Sequence, residues 1–266
     1  MQDRDNDDVG QFVKVALMRW LVSPSPYGQG HRLGMIWLQE PPGRDRIDGD
    51  HLDYLQSTHE ADEDLRSLDP SLYDRLRLMA VQSGRSVSVP DTCRALPADT
   101  VRYDRPLRFD DVVRDDPAAR AVSRQRWFHE AMVAVEPCSI VFLDSDHGLV
   151  RDDVQPSPDV QADFGLWTSE LHRLLDRGQS VVTHHLADPS HGLAAAAKDH
   201  LSEVHDALGV EPLVMARRSH GATRLFTVIP HHRHRSDLQD RIGALQLSRW
   251  GDEFRVYRWL SALVDA

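Results

Sequence analysis

Along most of this chain, short apolar runs alternate with stretches of helical period. Arg32 to Leu38 (RLGMIWL), Cys138 to Asp144 (CSIVFLD) and Ser180 to Thr183 (SVVT) are too short for buried helices and nearly continuous in apolar residues. They read as strands covered on both faces. Between them, apolar residues recur at helical spacing over 11–22 (Val13, Leu17, Trp20, Leu21), 70–82 (Leu72, Leu76, Met79, Ala80) and 118–135 (Ala121, Phe128, Ala131, Met132, Val135). The same spacing predicts helices over 164–177, 193–208 and 236–249, with Gly178 closing the first of these. Arg85 to Val89 reads as a further short strand. Leu213 to Ala216 and Leu225 to Ile229 flank a polar turn containing Gly221 and read as an antiparallel pair. Strand–helix alternation builds a mostly parallel sheet with helices on both faces. The expected fold is therefore α/β: a single Rossmann-like domain over residues 11–266, closed by a C-terminal antiparallel strand pair, with residues 1–10 frayed.

The 266 residues suit one large domain or two small ones, and no linker, repeat or low-complexity tract divides them. No run approaches the ~18 apolar residues of a membrane span, so no membrane partner is expected. The acidic opening MQDRDNDD is unlike a secretory or mitochondrial leader, and Cys93 and Cys138 are too few for a disulfide framework. A cytoplasmic protein is expected. A net charge of −11 argues against a nucleic-acid coat protein, but allows an enzyme with one basic groove, to which Arg124, Arg126, Arg217, Arg218 and Arg224 are the candidates. There are only two lysines, Lys14 and Lys198, so chemistry that needs a lysine has two places to find one.

Ligands of open α/β sheets sit at the carboxyl ends of the strands. That rule singles out the loops after Leu38, Asp144 and Thr183. The second reads Asp144-Ser145-Asp146-His147-Gly148: two carboxylates and an imidazole delivered to the sheet edge by one strand, able to hold a cation, exchange protons or bind an amine. The alternative is a plain turn with Gly148 at positive φ. His184 and His185 follow the third run, with His191 beyond. Adjacent strand residues point to opposite faces, so only one of the pair can face a shared site, and His185 is taken as the one lining the cleft. After the first run come Asp48, Gly49, Asp50 and His51, with Tyr54, a candidate substrate-contacting loop. His231, His232 and His234 read as an exposed basic loop.

Several common signatures are missing. There is no P-loop, no G-x-S-x-G elbow and no Gly-rich dinucleotide turn after a strand, since Gly28-Gln29-Gly30 precedes one. His129-Glu130 is followed by Val133 where a zinc protease needs His. A degenerate nuclease set remains on spacing alone: Asp152 or Asp153 with Glu170-Leu171-His172.

Five segments together resemble an uncharacterised family of bacterial and phage proteins. They are KVALMRW (Lys14 to Trp20); Arg32, Gly34 and Trp37; Asp48, Gly49, His51 and Tyr54; and Val141-Phe142-Leu143-Asp144-Ser145-Asp146-His147-Gly148-Leu149 with Gly178 to His185. The family carries V-F-L-D-P-D-N-G-L at the loop. The element order is similar to that of class I S-adenosylmethionine-dependent methyltransferases, which also end on an antiparallel strand pair. Members that methylate adenine carry an acid at the end of the fourth strand that holds the target amine, and by position Asp144 takes that part. The chain departs from them in lacking the proline after the acid, the aromatic fourth residue and the Gly-rich cofactor loop.

The resemblance implies S-adenosylmethionine as cofactor and a nucleic-acid substrate. Asp144 would orient the substrate, Asp146, His147 and His185 would assist, and Asp50, His51 and Tyr54 would contact the substrate. Two alternatives stand beside it: a Mg-dependent nuclease or phosphodiesterase built on Asp144, Asp146 and His185, and a binding protein on an inactivated enzyme fold.

Overall fold

A computed structural model describes residues 7–24, 29–38, 60–83, 95–109, 114–145, 147–152, 163–187, 190, 192–219 and 222–259. The strands are β1 (Leu33–Leu38), β2 (Val101–Tyr103), β3 (Ile140–Ser145), β4 (Leu149–Val150), β5 (Leu166–Trp167), β6 (Ser180–Ala187), β7 (Leu213–Ser219), β8 (Ala222–Ile229) and β9 (Arg255–Arg258). The helices are α1 (Asp7–Val22), α2 (Glu60–Leu68), α3 (Pro70–Ser83), α4 (Pro117–Ala134), α5 (Thr168–Asp176), α6 (Leu193–Leu208) and α7 (Arg235–Leu247).

Seven strands form one sheet in the order β2-β1-β3-β6-β8-β7-β9. The first four are parallel, and each later pairing is antiparallel. The expected mixed α/β architecture is thus present, with the antiparallel pair at β7 and β8. Two edge strands, β2 (VRY) and β9 (RVYR), go beyond the sequence reading. They span only three and four residues with charged residues among them, too short a stretch to read as a strand. The expected strand over Arg85 to Val89 lies outside the described residues.

Strand periodicity divides the core into two layers. Leu33, Met35, Trp37, Ile140, Phe142, Val182, Phe226 and Val228 pack against α1, α3 and α7. Their neighbours Ile36, Leu38, Val141, Leu143 and Val181 pack against α4, α5 and part of α6. Helix α4 starts where it does because Asp116 caps it, accepting from the N–H groups of Ala118 and Ala119, with Pro117 preset for the first turn. Helix α6 ends at Gly209, whose φ of 64° is the left-handed geometry that glycine adopts without steric cost. Gly34 lets β1 approach the turn after α4: a Cβ there would lie 2.9 Å from Val135 Cβ and 3.2 Å from Cys138 Sγ.

The chain leaves β1 for β2 on one side, then returns to β3 on the other. The connections therefore diverge between β1 and β3, the kind of switch point that opens a crevice at the carboxyl ends of a parallel sheet. Trp37 and Asp144 stand opposite each other there.

Candidate functional site

Register builds the site. Trp37, Asp144, His184 and Phe226 are successive cross-strand partners on β1, β3, β6 and β8, so the four lie in one transverse row. Asp144 continues the phase of Ile140 and Phe142, which carries its side chain to the α1 face. Helix α1 presents Lys14 to it. Lys14 Nζ donates to Asp144 Oδ1 at 2.9 Å and Oδ2 at 2.7 Å, and Trp37 Nε1 donates to Oδ2 at 2.8 Å. Asp144 is only 7% exposed and Lys14 6%, so this ion pair is screened little by solvent. Burial pushes the carboxyl pKa up, but Lys14 and His184 outweigh it and hold Asp144 well below the usual carboxylate range. It is an anion at neutral pH.

His184 completes the row. Its Nδ1 lies 3.4 Å from Asp144 Oδ1, longer than a normal hydrogen bond, and both ring nitrogens are buried without a partner at bonding geometry. Burial and the Lys14 charge push its pKa down despite Asp144, so the ring is neutral at pH 7. Phe226 packs against it with ring centroids 4.9 Å apart.

The histidine expectation is thereby corrected. Strand β6 does not stop at Thr183 but runs to Ala187, because β8 pairs with it as far as Thr223. His184 and His185 are inside the strand, and it is His184, in phase with Val182, that faces Asp144. His185 is in phase with Val181 and Thr183 and faces α6, where its ring lies 4.1 Å from that of His200. Asp144 and His185 therefore lie on opposite faces of the sheet.

The loop after Asp144 is held by its own residues. Ser145 Oγ lies 2.8 Å from the His147 carbonyl and 2.7 Å from the Phe164 carbonyl, between which its single O–H is shared, and accepts from His147 N–H at 3.1 Å. Leu166 N–H donates to Gly148 O at 3.0 Å, and β4 and β5 pair in parallel beyond it. His147 is half-buried just past this turn, and Gly148 is exposed without a positive φ, so the turn rests on the Ser145 hydroxyl rather than on glycine geometry. Asp146 lies outside the described residues, as do Asp48, Gly49, Asp50, His51 and Tyr54.

Of the spacing-based nuclease set, Asp153 lies outside the described residues, and the other members are engaged or exposed elsewhere. Glu170 is fully engaged by Arg124, whose Nε and Nη2 reach its two oxygens at 2.9 and 2.6 Å. Arg124 also donates to the carbonyls of Asp163 and Gly165, and Arg120 pairs with Asp163. These two arginines of α4 fasten the 163–170 segment rather than line a basic groove. Asp152 caps α5 through Thr168 and Ser169, at 2.8 Å from Thr168 Oγ1 and 2.9 Å from the Ser169 N–H. His172 is exposed. Among the described residues no group of three or more His, Cys, Asp or Glu is placed to hold a metal ion.

Lys14 and Trp37 are the functional residues that spacing did not reveal. Lys14 is 130 positions from its partner, and Trp37 reads from sequence as plain core. The scarcity of lysine was the one available signal, since a single lysine inside an apolar helix face needs a buried anion.

No protein-family model matches the chain, and no curated protein matches it. Among solved structures, protein LPL1258 from Legionella pneumophila str. Philadelphia 1, described under the family model DUF519, is similar at a TM-score of 0.43. The identity is 9%, over 93% of this chain and 94% of that one. Similarity at that level transfers neither fold family nor function. No helix among the described residues is long and apolar enough to cross a membrane.

Proposed function

We propose that this protein is an S-adenosylmethionine-dependent methyltransferase, or a divergent member of that fold, acting on an amino group of a nucleic acid at the carboxyl edge of β1, β3 and β6. The observation that carries the reading is the buried, Lys14-paired Asp144 at the sheet's switch point, beside a buried His184 with unspent hydrogen-bonding capacity. Buried polar atoms without partners are rare in proteins, and at a sheet edge they mark a place where a ligand supplies the missing bonds. The antiparallel β7–β8 pair closing a parallel sheet is a second feature the methyltransferase resemblance implies.

S-adenosylmethionine would lie at this edge without drawing on the Asp144 charge, which Lys14 already balances. When bound, that cofactor supplies an electrophilic methyl group. Lys14 keeps Asp144 ionised and fixed. Trp37 restricts the carboxylate to one orientation. A substrate N–H would take one of the Asp144 positions now filled by Lys14 or Trp37, leaving the amine held toward the edge. The Ser145 hydrogen bonds and the β4–β5 ladder keep the edge preformed, which reduces the ordering cost of binding.

One observation favours a second reading, a binding protein on an inactivated fold: both Asp144 oxygens are already bonded within the protein. Thermal unfolding with S-adenosylmethionine and S-adenosylhomocysteine separates the two. A ligand at about 100 times its dissociation constant adds ~2.7 kcal/mol, a shift of several degrees for a chain of this size. The methyltransferase reading expects that shift, and loss of methyl transfer to nucleic acid in Asp144→Asn with cofactor binding kept. Absence of a shift with both ligands overturns it in favour of the binding protein.

A further inference from the structure

The face of the sheet opposite Asp144 carries a cavity. It has a volume of about 460 Å³, within the range of small-ligand clefts, and lies between the end of β6, β8 and α6. His185 and His200 form its inner wall and are only 8% and 5% exposed. Asp199 and Glu203 stand on its exposed rim, and Ala187, Ala196 and Leu225 make its apolar floor. Among the described residues no lysine or arginine lines it.

The hydrogen bonding within the wall is incomplete in a directed way. His200 Nδ1 lies 3.0 Å from Glu203 Oε2, a contact that calls for a proton on Nδ1; in that neutral tautomer the acceptor lone pair is at Nε2. That Nε2 is buried and has no donor, and His185 Nδ1 is likewise buried without a partner. Burial, with the neighbouring histidines, holds His185 neutral. The cavity thus offers a lone pair and two carboxylates to N–H donors, and an apolar surface to whatever bears them. Two rim carboxylates, buried imidazole nitrogens without partners and an apolar floor together match an organic cation.

We propose that this cavity binds a small organic cation, an alkylammonium or alkylguanidinium compound, with its N–H groups on His200 Nε2, Asp199 and Glu203 and its alkyl chain on Ala187, Ala196 and Leu225. The site is independent of the Asp144 edge: the sheet separates them, and each has its own histidine of the β6 pair.

Isothermal titration of the full chain with agmatine and with cadaverine tests this. The expected result is saturable binding of at least one of them, weakened by on the order of tenfold in Asp199→Asn/Glu203→Gln, whose exposed positions leave the fold intact. Circular dichroism melting of that variant establishes that it is folded. No heat with either amine overturns the proposal. Unchanged affinity in the folded double variant overturns it as well. A third refuting result is that Zn²⁺, titrated alone, binds and excludes the amines through His185 and His200, which would make the cavity a metal site.

Discussion

Replacing Lys14 by methionine removes the cation from a fully buried anion while keeping most of the side-chain volume. Asp144 would then retain only the Trp37 bond and the long contact to His184. Breaking a buried pair by deleting one partner costs ~3–5 kcal/mol, because the remaining charge is left uncompensated. At roughly 2–4 °C per kcal/mol for a chain of this length, the melting temperature should fall by about 6–20 °C. The pH dependence carries the mechanism. In the wild type the Asp144 pKa is lowered by folding, so its contribution is fully present above the unfolded value of ~3.9 and is lost only as pH falls through the lower folded value. Without Lys14 that lowering is removed and burial raises the folded pKa, so protonation relieves the defect and the gap to wild type should narrow as pH falls. A double variant, Lys14→Met/Asp144→Asn, keeps an acceptor for Trp37 and removes the charge, and should recover most of the loss at pH 7. Urea midpoints from pH 5 to pH 8 measure all three proteins. A single variant within about 1 kcal/mol of wild type, or a double variant no better than the single, would refute the claim that Lys14 balances a buried charge.

Three further outcomes follow from other parts of the fold. Arg124→Met should cost ~3–5 kcal/mol by stranding Glu170, whose pKa burial already pushes up; the loss should shrink toward acidic pH as Glu170 takes a proton, and Glu170→Gln should cost less, by urea denaturation. Gly34→Ala should destabilise by about 1–3 kcal/mol, because its Cβ meets Val135 at 2.9 Å where the turn after α4 has no room to yield; thermal melts report it. Asp116→Ala should cost ~1 kcal/mol through the α4 cap, with Asp116→Asn losing much less, by the same melts.

Six helices and the main strands were legible in the sequence, because each buries one face or both and its period shows. Helix α5 starts four residues later than periodicity placed it, since Leu166 and Trp167 are drawn into the small ladder with β4. Asp144 was legible as a candidate because a strand of unmistakable pattern ends on it. The other members of its row were not. Which of His184 and His185 shares its face depends on the phase of β6, and that phase is set by long-range pairing with β8 rather than by local composition. Lys14 reaches Asp144 through the docking of α1, a contact no spacing rule encodes. Glu170 failed as a nuclease acid for the same kind of reason: its partner Arg124 stands one helix away.

The first helix is also tied to the last. Trp20 Nε1 donates to the Arg241 carbonyl of α7 at 2.9 Å, and Arg241 in turn donates to the carbonyls of Ser23 and Gln29 just after α1. During synthesis the lysine that neutralises Asp144 leaves the ribosome early, while the helix that seats it emerges more than two hundred residues later. Until then β3 carries a carboxylate facing an uncovered apolar surface. The nascent chain therefore has a built-in interval in which this edge is chemically unfinished, and a chain stalled before α7 should expose the surface that α1 and α7 cover together.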